Sequence, residues 1–199
     1  MSPMATPAGI VAVVLPPGPA GARAAAMVRA MALYPARFRP VVFGPAGPGA
    51  MAEVVHRTVR PGWMPGDPQR RYAARVAILL APLRPAVIEV HDAPAVAAFL
   101  GGRFRPVPVL MVAHTDPQAQ RGAHDAAART YLLAQATRVA AMSSEIRARL
   151  LDGVHPSMRH CALLPPHDGP DGPAATAIAL DALRLEALRA WSRPLGGPI

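Results

Sequence analysis

The sequence predicts an α/β fold: a single Rossmann-like, doubly wound parallel sheet of about seven strands, with a carboxyl-terminal helix. Three observations predict it. Short apolar runs alternate with helical patterns along most of the 199-residue chain, and such alternation builds βαβ units. Several runs are apolar on both faces, as strands buried between two helix layers are. Two of the runs, in "VIEVHDAP" and "VLMVAHTDP", pass directly into a histidine and an aspartate, and open parallel sheets bind ligands at such strand ends.

The elements follow in order. Strands are expected at Ile10–Leu15, Pro40–Gly44, Val54–Val59, Ala86–His91, Val107–Ala113, Arg138–Ala141 and His160–Leu164. Helices are expected at Gly21–Leu33, Pro68–Pro82, Ala93–Leu100, Gly122–Ala136 and Ser143–Leu151. The third strand follows the second without a helix. "GPAGPG" at 44–49 and "RPGWMPGDP" at 60–68 read as Pro/Gly loops. "PPHDGPDGP" at 165–173 is the strongest linker. It divides a body at 1–164 from a terminal helix and tail at 174–199, the helix running from Ala174 to Trp191. That helix carries an apolar stripe at Leu180, Leu183, Ala187, Leu188 and Trp191, with Asp181, Arg184, Arg189 and Arg193 on its other side. The stripe needs cover from this domain, a second copy or a membrane surface, and self-association through the helix is one expectation.

Composition narrows the function classes. The chain is 52% hydrophobic and 17% charged, with a formal net charge of +9. Its isoelectric point is about 11.4 and its mean hydropathy +0.22. All basic side chains except histidine are Arg, and the chain has neither Lys nor Asn. The arginines are scattered and aromatic residues are only 5%, whereas nucleic-acid binding favours a basic stripe with stacking rings. No nucleic-acid partner is expected. A basic surface facing lipid headgroups or phosphorylated ligands fits better. No run reaches the ~20 apolar residues that span a bilayer, and "IVAVVL" at 10–15 is too short for a signal sequence. A cytoplasmic location is expected, with peripheral contact at the inner membrane face. The single cysteine, Cys161, excludes an internal disulfide and a multi-cysteine metal site.

The candidate site residues are His91, Asp92, His114, Thr115 and Asp116, all at strand ends on one sheet edge. Gly18 and Gly21 precede the first helix, whose first amides could face a phosphate, although Pro19 removes one donor. Ser143 is a good helix N-cap beside the same edge. "AHTDP" shares the His-Asp element of the "HPDDE" pattern of zinc-dependent sugar deacetylases, with Pro117 and Gln118 replacing its last acidic pair. Metal-dependent deacetylation is therefore kept as a minor alternative. The main reading assigns no metal and no cofactor.

Five segments in order resemble the amino-terminal half of a family 4 glycosyltransferase of the two-Rossmann-domain (GT-B) architecture, from about Ile10 to Asp171. They are "IVAVVLPPGPAG"; "LRPAVIEVHDAP", where the family has "PDVIEVHN"-like segments; "PVPVLMVAHTDPQAQRG", similar to "HNDP…MRG"; "TRVAAMSSEIRARLLDG", similar to "DRVVCVSEWVRDRFLEG"; and "CALLPPHDGPDG", where the family has "VLPNGVD". The resemblance implies hexosyl transfer from a nucleotide-sugar to a saccharide or glycolipid acceptor, in surface polysaccharide or glycolipid synthesis. It implies that His114 contacts the donor sugar near the reacting centre. His91, Asp92, Thr115, Asp116 and Ser143 would border substrate, and the Gly18–Gly21 turn would meet donor phosphates. Departures are Pro19 and Ala20 in the Gly loop, Asp92 and Thr115 where Asn is common, and "HDGPD" in the linker. One helix after Asp171 cannot form the family's nucleotide-binding domain, so a partner domain is expected to bind the nucleotide-sugar. The alternatives are a glycan-binding module without turnover and a truncated pseudo-enzyme.

Overall fold

A computed structural model describes residues 9–34, 36–45, 54–60, 66–104, 107–167 and 171–192. Its strands are β1 (Gly9–Val14), β2 (Phe38–Gly44), β3 (Val55–Thr58), β4 (Val87–His91), β5 (Val109–Ala113), β6 (Arg138–Ala141) and β7 (Cys161–Leu163). They form one sheet of 7 strands in the order β3-β2-β1-β4-β5-β6-β7. Every pairing is parallel. The order reverses at β1, which lies between β2 and β4, so the topological switch point falls between β1 and β4.

The helices are α1 (Pro19–Met31), α2 (Pro68–Leu80), α3 (Pro94–Arg103), α4 (Ala126–Gln135), α5 (Ser144–Leu151) and α6 (Gly172–Trp191). Proline opens α1, α2 and α3, where a missing amide costs nothing and the ring presets φ. Asp67, Asp125 and Ser143 cap α2, α4 and α5 by accepting from Gln69, Ala128 and Ile146 amides. Only α2 starts at the expected residue; α3 and α5 start one residue later and α6 two residues earlier than expected, and two further differences have a local cause. α1 begins at Pro19 because Gly18 is the cap. α4 begins at Ala126 rather than Gly122, because Gly122 has φ +89 and Asp125 supplies the cap.

Strand alternation divides the core into two layers. Ala12, Val14, Ile88, Val90, Met111 and Val139 pack with buried residues of α2, α3, α4 and α5. Val11, Val13, Val87, Leu110, Val112 and Ala140 pack with α1 and α6. The stripe of α6 is thus covered by its own domain: Leu180 is 0% exposed and Ala187 0%. Trp191, expected in the stripe, is 43% exposed at the helix end.

The opposite side of α6 is corrected. Arg184, expected on the side away from the apolar stripe, is only 7% exposed. Its cause lies in β4, where Glu89 is fully buried in the middle of an apolar strand. Arg184 leans onto the sheet and meets both Glu89 oxygens, Nε to Oε2 at 2.8 Å and Nη2 to Oε1 at 3.1 Å. Asp181 accepts from Arg184 Nη1 at 3.3 Å and from the Arg37 amide at 2.9 Å. Residues 46–49 and 61–65 of the two Pro/Gly loops, 168–170 of the linker and the tail with Arg193 lie outside the described residues.

Candidate functional site

A cleft of about 760 Å³ opens at the carboxyl ends of the strands on the α1/α6 side. Its wall includes Arg23 and Met27 of α1, His114 after β5, Ser143 and Ser144 at the start of α5, and His167 before α6. The sequence reading named His114 and Ser143. It did not name Arg23, Ser144 or His167. Arg23 stands two residues beyond Gly21, and His167 is the one aromatic ring of the linker; those positions were the available signals.

His114 is held from behind. Its Nε2 lies 2.7 Å from His91 Nδ1, and His91 Nε2 lies 2.9 Å from Glu89 Oε1. Glu89, His91, Val112 and His114 alternate onto the same face of β4 and β5, so Arg184, Glu89, His91 and His114 make one continuous line beneath the cleft. Burial alone would raise the Glu89 carboxyl. The Arg184 charge and the His91 hydrogen bond outweigh it and hold the carboxyl far below the usual carboxylate range. Burial lowers Arg184, but Glu89 and then Asp181 outweigh that and raise it. His114 is pushed down to about 3, first by burial and then by His91, with Arg23 and His167 acting in the same direction and Glu89 against them. It is therefore a neutral imidazole at physiological pH, and Arg23 is the cation that this wall presents.

The expectation that His91 borders substrate is corrected. Its side chain is 0% exposed, because both ring nitrogens are engaged and α6 covers the strand. Asp92 is also turned to the protein. It has φ +44, and its Oδ1 accepts from the His114 amide at 2.7 Å and the Thr115 amide at 3.1 Å. Thr115 Oγ1 accepts from Gln120 Nε2 at 2.6 Å. Asp116 caps a short 3-10 turn through the Gln118 amide and pairs with Arg149 at 2.9 Å. These residues fix the loop that presents His114.

Ser143 accepts from the Ile146 amide at 3.2 Å while bordering the cleft. Gly18 adopts φ 86 and ψ −164, a region essentially confined to glycine. A Cβ on Gly21 would lie 1.9 Å from the Pro16 carbonyl oxygen. The turn thus needs both glycines. The Gly21 and Ala22 amides, however, donate to Gly18 O at 3.1 and 3.4 Å, and the cleft wall begins at Arg23. Among the described residues, no three His, Cys, Asp or Glu side chains converge as metal ligands. The carboxylates of "HDAP" and "HTDP" face amides and Arg149 instead, which weakens the deacetylase alternative.

A family model described as Glycosyltransferase Family 4 matches residues 20–165. The chain belongs to glycosyltransferase family 4. Its fold is also shared with solved structures of low identity. UDP-N-acetylglucosamine 2-epimerase from Rickettsia bellii superposes with a TM-score of 0.53 and 9% identity, covering 87% of this chain and 48% of that one. UDP-GlcNAc 2-epimerase from Neisseria meningitidis, bound to UDP-GlcNAc, gives 0.51 and 13%, covering 90% and 51%. At such identities the likeness concerns the fold alone. This family 4 chain spans about half the length of the solved structures it matches, 48% and 51% in these two cases. No curated protein matches it. Among the described residues no helix is long and apolar enough to cross a membrane.

Proposed function

We propose that this chain is the acceptor-side domain of a hexosyltransferase, working with a nucleotide-sugar-binding domain to build a surface polysaccharide or glycolipid. The observation that carries the reading is His114 in the wall of a cleft at the carboxyl ends of a family 4 parallel sheet. Such an imidazole orients sugar hydroxyls by hydrogen bonding, and Arg23 in the same wall offers charge to a phosphate. The net charge of +9 also favours a lipid-linked or phosphorylated acceptor at an anionic surface.

The test is a titration of the purified chain followed by amide NMR. Bacterial surface saccharides are expected to shift Arg23, His114 and Ser143. Nucleotide-sugars alone are expected to have little effect. With a separately expressed nucleotide-binding domain, release of nucleoside diphosphate should appear and should fall in His114→Ala. No saccharide binding, or turnover indifferent to His114→Ala, would overturn the reading. A second reading, glycan binding without turnover, is favoured by the α1 turn, whose Gly21 and Ala22 amides are occupied by Gly18 O. It predicts the saccharide shifts with no diphosphate release under any pairing.

A further inference from the structure

A second opening lies at the same sheet edge, on the α2/α3/α4 side rather than the α1/α6 side. It is a groove of about 380 Å³, within the range of roughly 300–1,000 Å³ usual for small-molecule sites. Small residues make its floor, among them Ala95, Ala98 and Gly122. A Cβ on Gly122, where φ is +89, would lie 2.6 Å from the Ala95 amide nitrogen. The loop before α4 therefore packs backbone to backbone against the start of α3, and the floor is built before any ligand arrives. The chain is poor in aromatic side chains, at 5%, yet Phe99 and Tyr131 both line this groove. Tyr131 is 58% exposed, and among the described residues its hydroxyl makes no hydrogen bond. The rim carries an unbalanced charge. Asp67 Oδ1 accepts from the Gln69 amide at 3.0 Å and lies 3.2 Å from Arg121 Nη1, so this carboxylate has its cation. Arg70, on the same rim, has no ion pair or hydrogen bond among the described residues.

These parts fit one kind of ligand. An exposed ring over a floor of small residues takes the C–H face of a sugar, and the phenol hydroxyl gives or accepts a hydrogen bond at its hydroxyls. The surplus guanidinium presents a planar fork that matches a carboxylate, donor pair to oxygen pair. An apolar ligand would leave that charge uncompensated. We propose that the groove is a subsite for a carboxylated sugar, one residue of a longer saccharide acceptor. The segment 114–122 links the two openings, with His114 in the cleft wall and Gly122 in the groove. Asp92, Thr115 and Gln120 pin that segment between them. A saccharide anchored in the groove thus has a fixed path along one sheet edge to the cleft. Assigning the sugar to the acceptor rests on the reading of this chain as an acceptor-side domain; the groove's choice of a carboxylated sugar does not.

The experiment is an amide NMR titration of the whole chain with glucuronate, with glucose and inorganic phosphate as controls. Glucuronate is expected to shift Ala98, Phe99, Gly122 and Tyr131, and to bind more weakly as salt is added. Glucose should bind at the same residues about tenfold more weakly, for want of the charge-assisted hydrogen bonds. Arg70→Gln should bring glucuronate down to the level of glucose, and Arg70→Lys should restore part of the difference. Tyr131→Ala should weaken both sugars. Circular dichroism checks that each variant folds; if one does not, the native comparison of the three probes decides. A groove silent to glucuronate, glucose binding as well as glucuronate, or preference unchanged in a folded Arg70→Gln would overturn the proposal. Phosphate matching glucuronate would also overturn it, by reducing the groove to a site for any anion. Glucuronate in the groove, with no saccharide shifts in the cleft and no sugar transfer, would refute the acceptor-side reading and leave the sugar site standing. Saccharide shifts at Arg23, His114 and Ser143 with a silent groove would refute this subsite alone.

Discussion

Removing the Arg184 guanidinium tests the buried line as a stability element. In Arg184→Met the chain volume is largely kept, but the fully buried Glu89 loses two hydrogen bonds of 2.8 and 3.1 Å and the guanidinium that pairs with it. Breaking one half of a buried ion pair costs about 3–5 kcal/mol. For a chain of this size that corresponds to a Tm lower by roughly 6–20 °C. The pH dependence has a definite sign. In the native protein Glu89 is held below its ordinary value of 4.5, so its stabilisation is complete above that value and is lost only as pH falls toward the folded one. In Arg184→Met burial dominates and raises the carboxyl, so protonation relieves the variant. The stability gap between the two proteins should be widest near pH 8 and narrow as pH approaches 5. Urea unfolding followed by circular dichroism at several pH values measures it. Glu89→Met/Arg184→Met should recover part of the loss, because no unpaired charge remains. A loss below about 1 kcal/mol at pH 8, or a gap that widens toward acid, would refute the reasoning.

The α1 turn separates two kinds of glycine requirement. Gly18→Ala meets no atom within 4 Å and carries only backbone strain, about 1–3 kcal/mol in urea unfolding. Gly21→Ala collides with the Pro16 carbonyl and should lose more, with Arg23 displaced in amide NMR. Leu180→Ala, at a fully buried position on α6, should cost about 2–5 kcal/mol. A chain ending at residue 171 exposes Val87, Leu110 and Val112 as well as Glu89, and light scattering should show self-association; a monomer of native stability would contradict the packing. The Cys161 thiol is pushed up to about 11, chiefly by burial. Its reaction with a disulfide reagent at pH 8 should therefore be slow in the folded chain and should accelerate many-fold on denaturation.

Strand and helix order was legible because it rests on local pattern: the unbroken apolar run of β1, prolines at helix starts, Ser143 as a cap. The two glycines were legible for the same reason, since each answers to its own turn. Roles that depend on a distant partner were not. "VIEVH" announces that its carboxylate needs a cation, but 21 arginines could supply it, and a helical wheel assigns Arg184 to solvent. His91 was recognised as part of a site, yet strand-end position cannot tell a ring that faces ligand from one that stands behind another ring. Asp92 illustrates the same gap. Its place after a strand suggested a ligand, whereas the loop amides of His114 and Thr115 claim it.

Glu89 and Arg184 are 95 residues apart in sequence. During synthesis at about 5–20 residues per second, β4 is made roughly 5–20 s before its cation. In that interval the nascent sheet has a carboxylate where its second layer should be, and that face cannot close as a dry core. Glu89 therefore has its Arg184 partner only once α6 has been made, so the last helix both covers this face of the sheet and neutralises the charge buried in it.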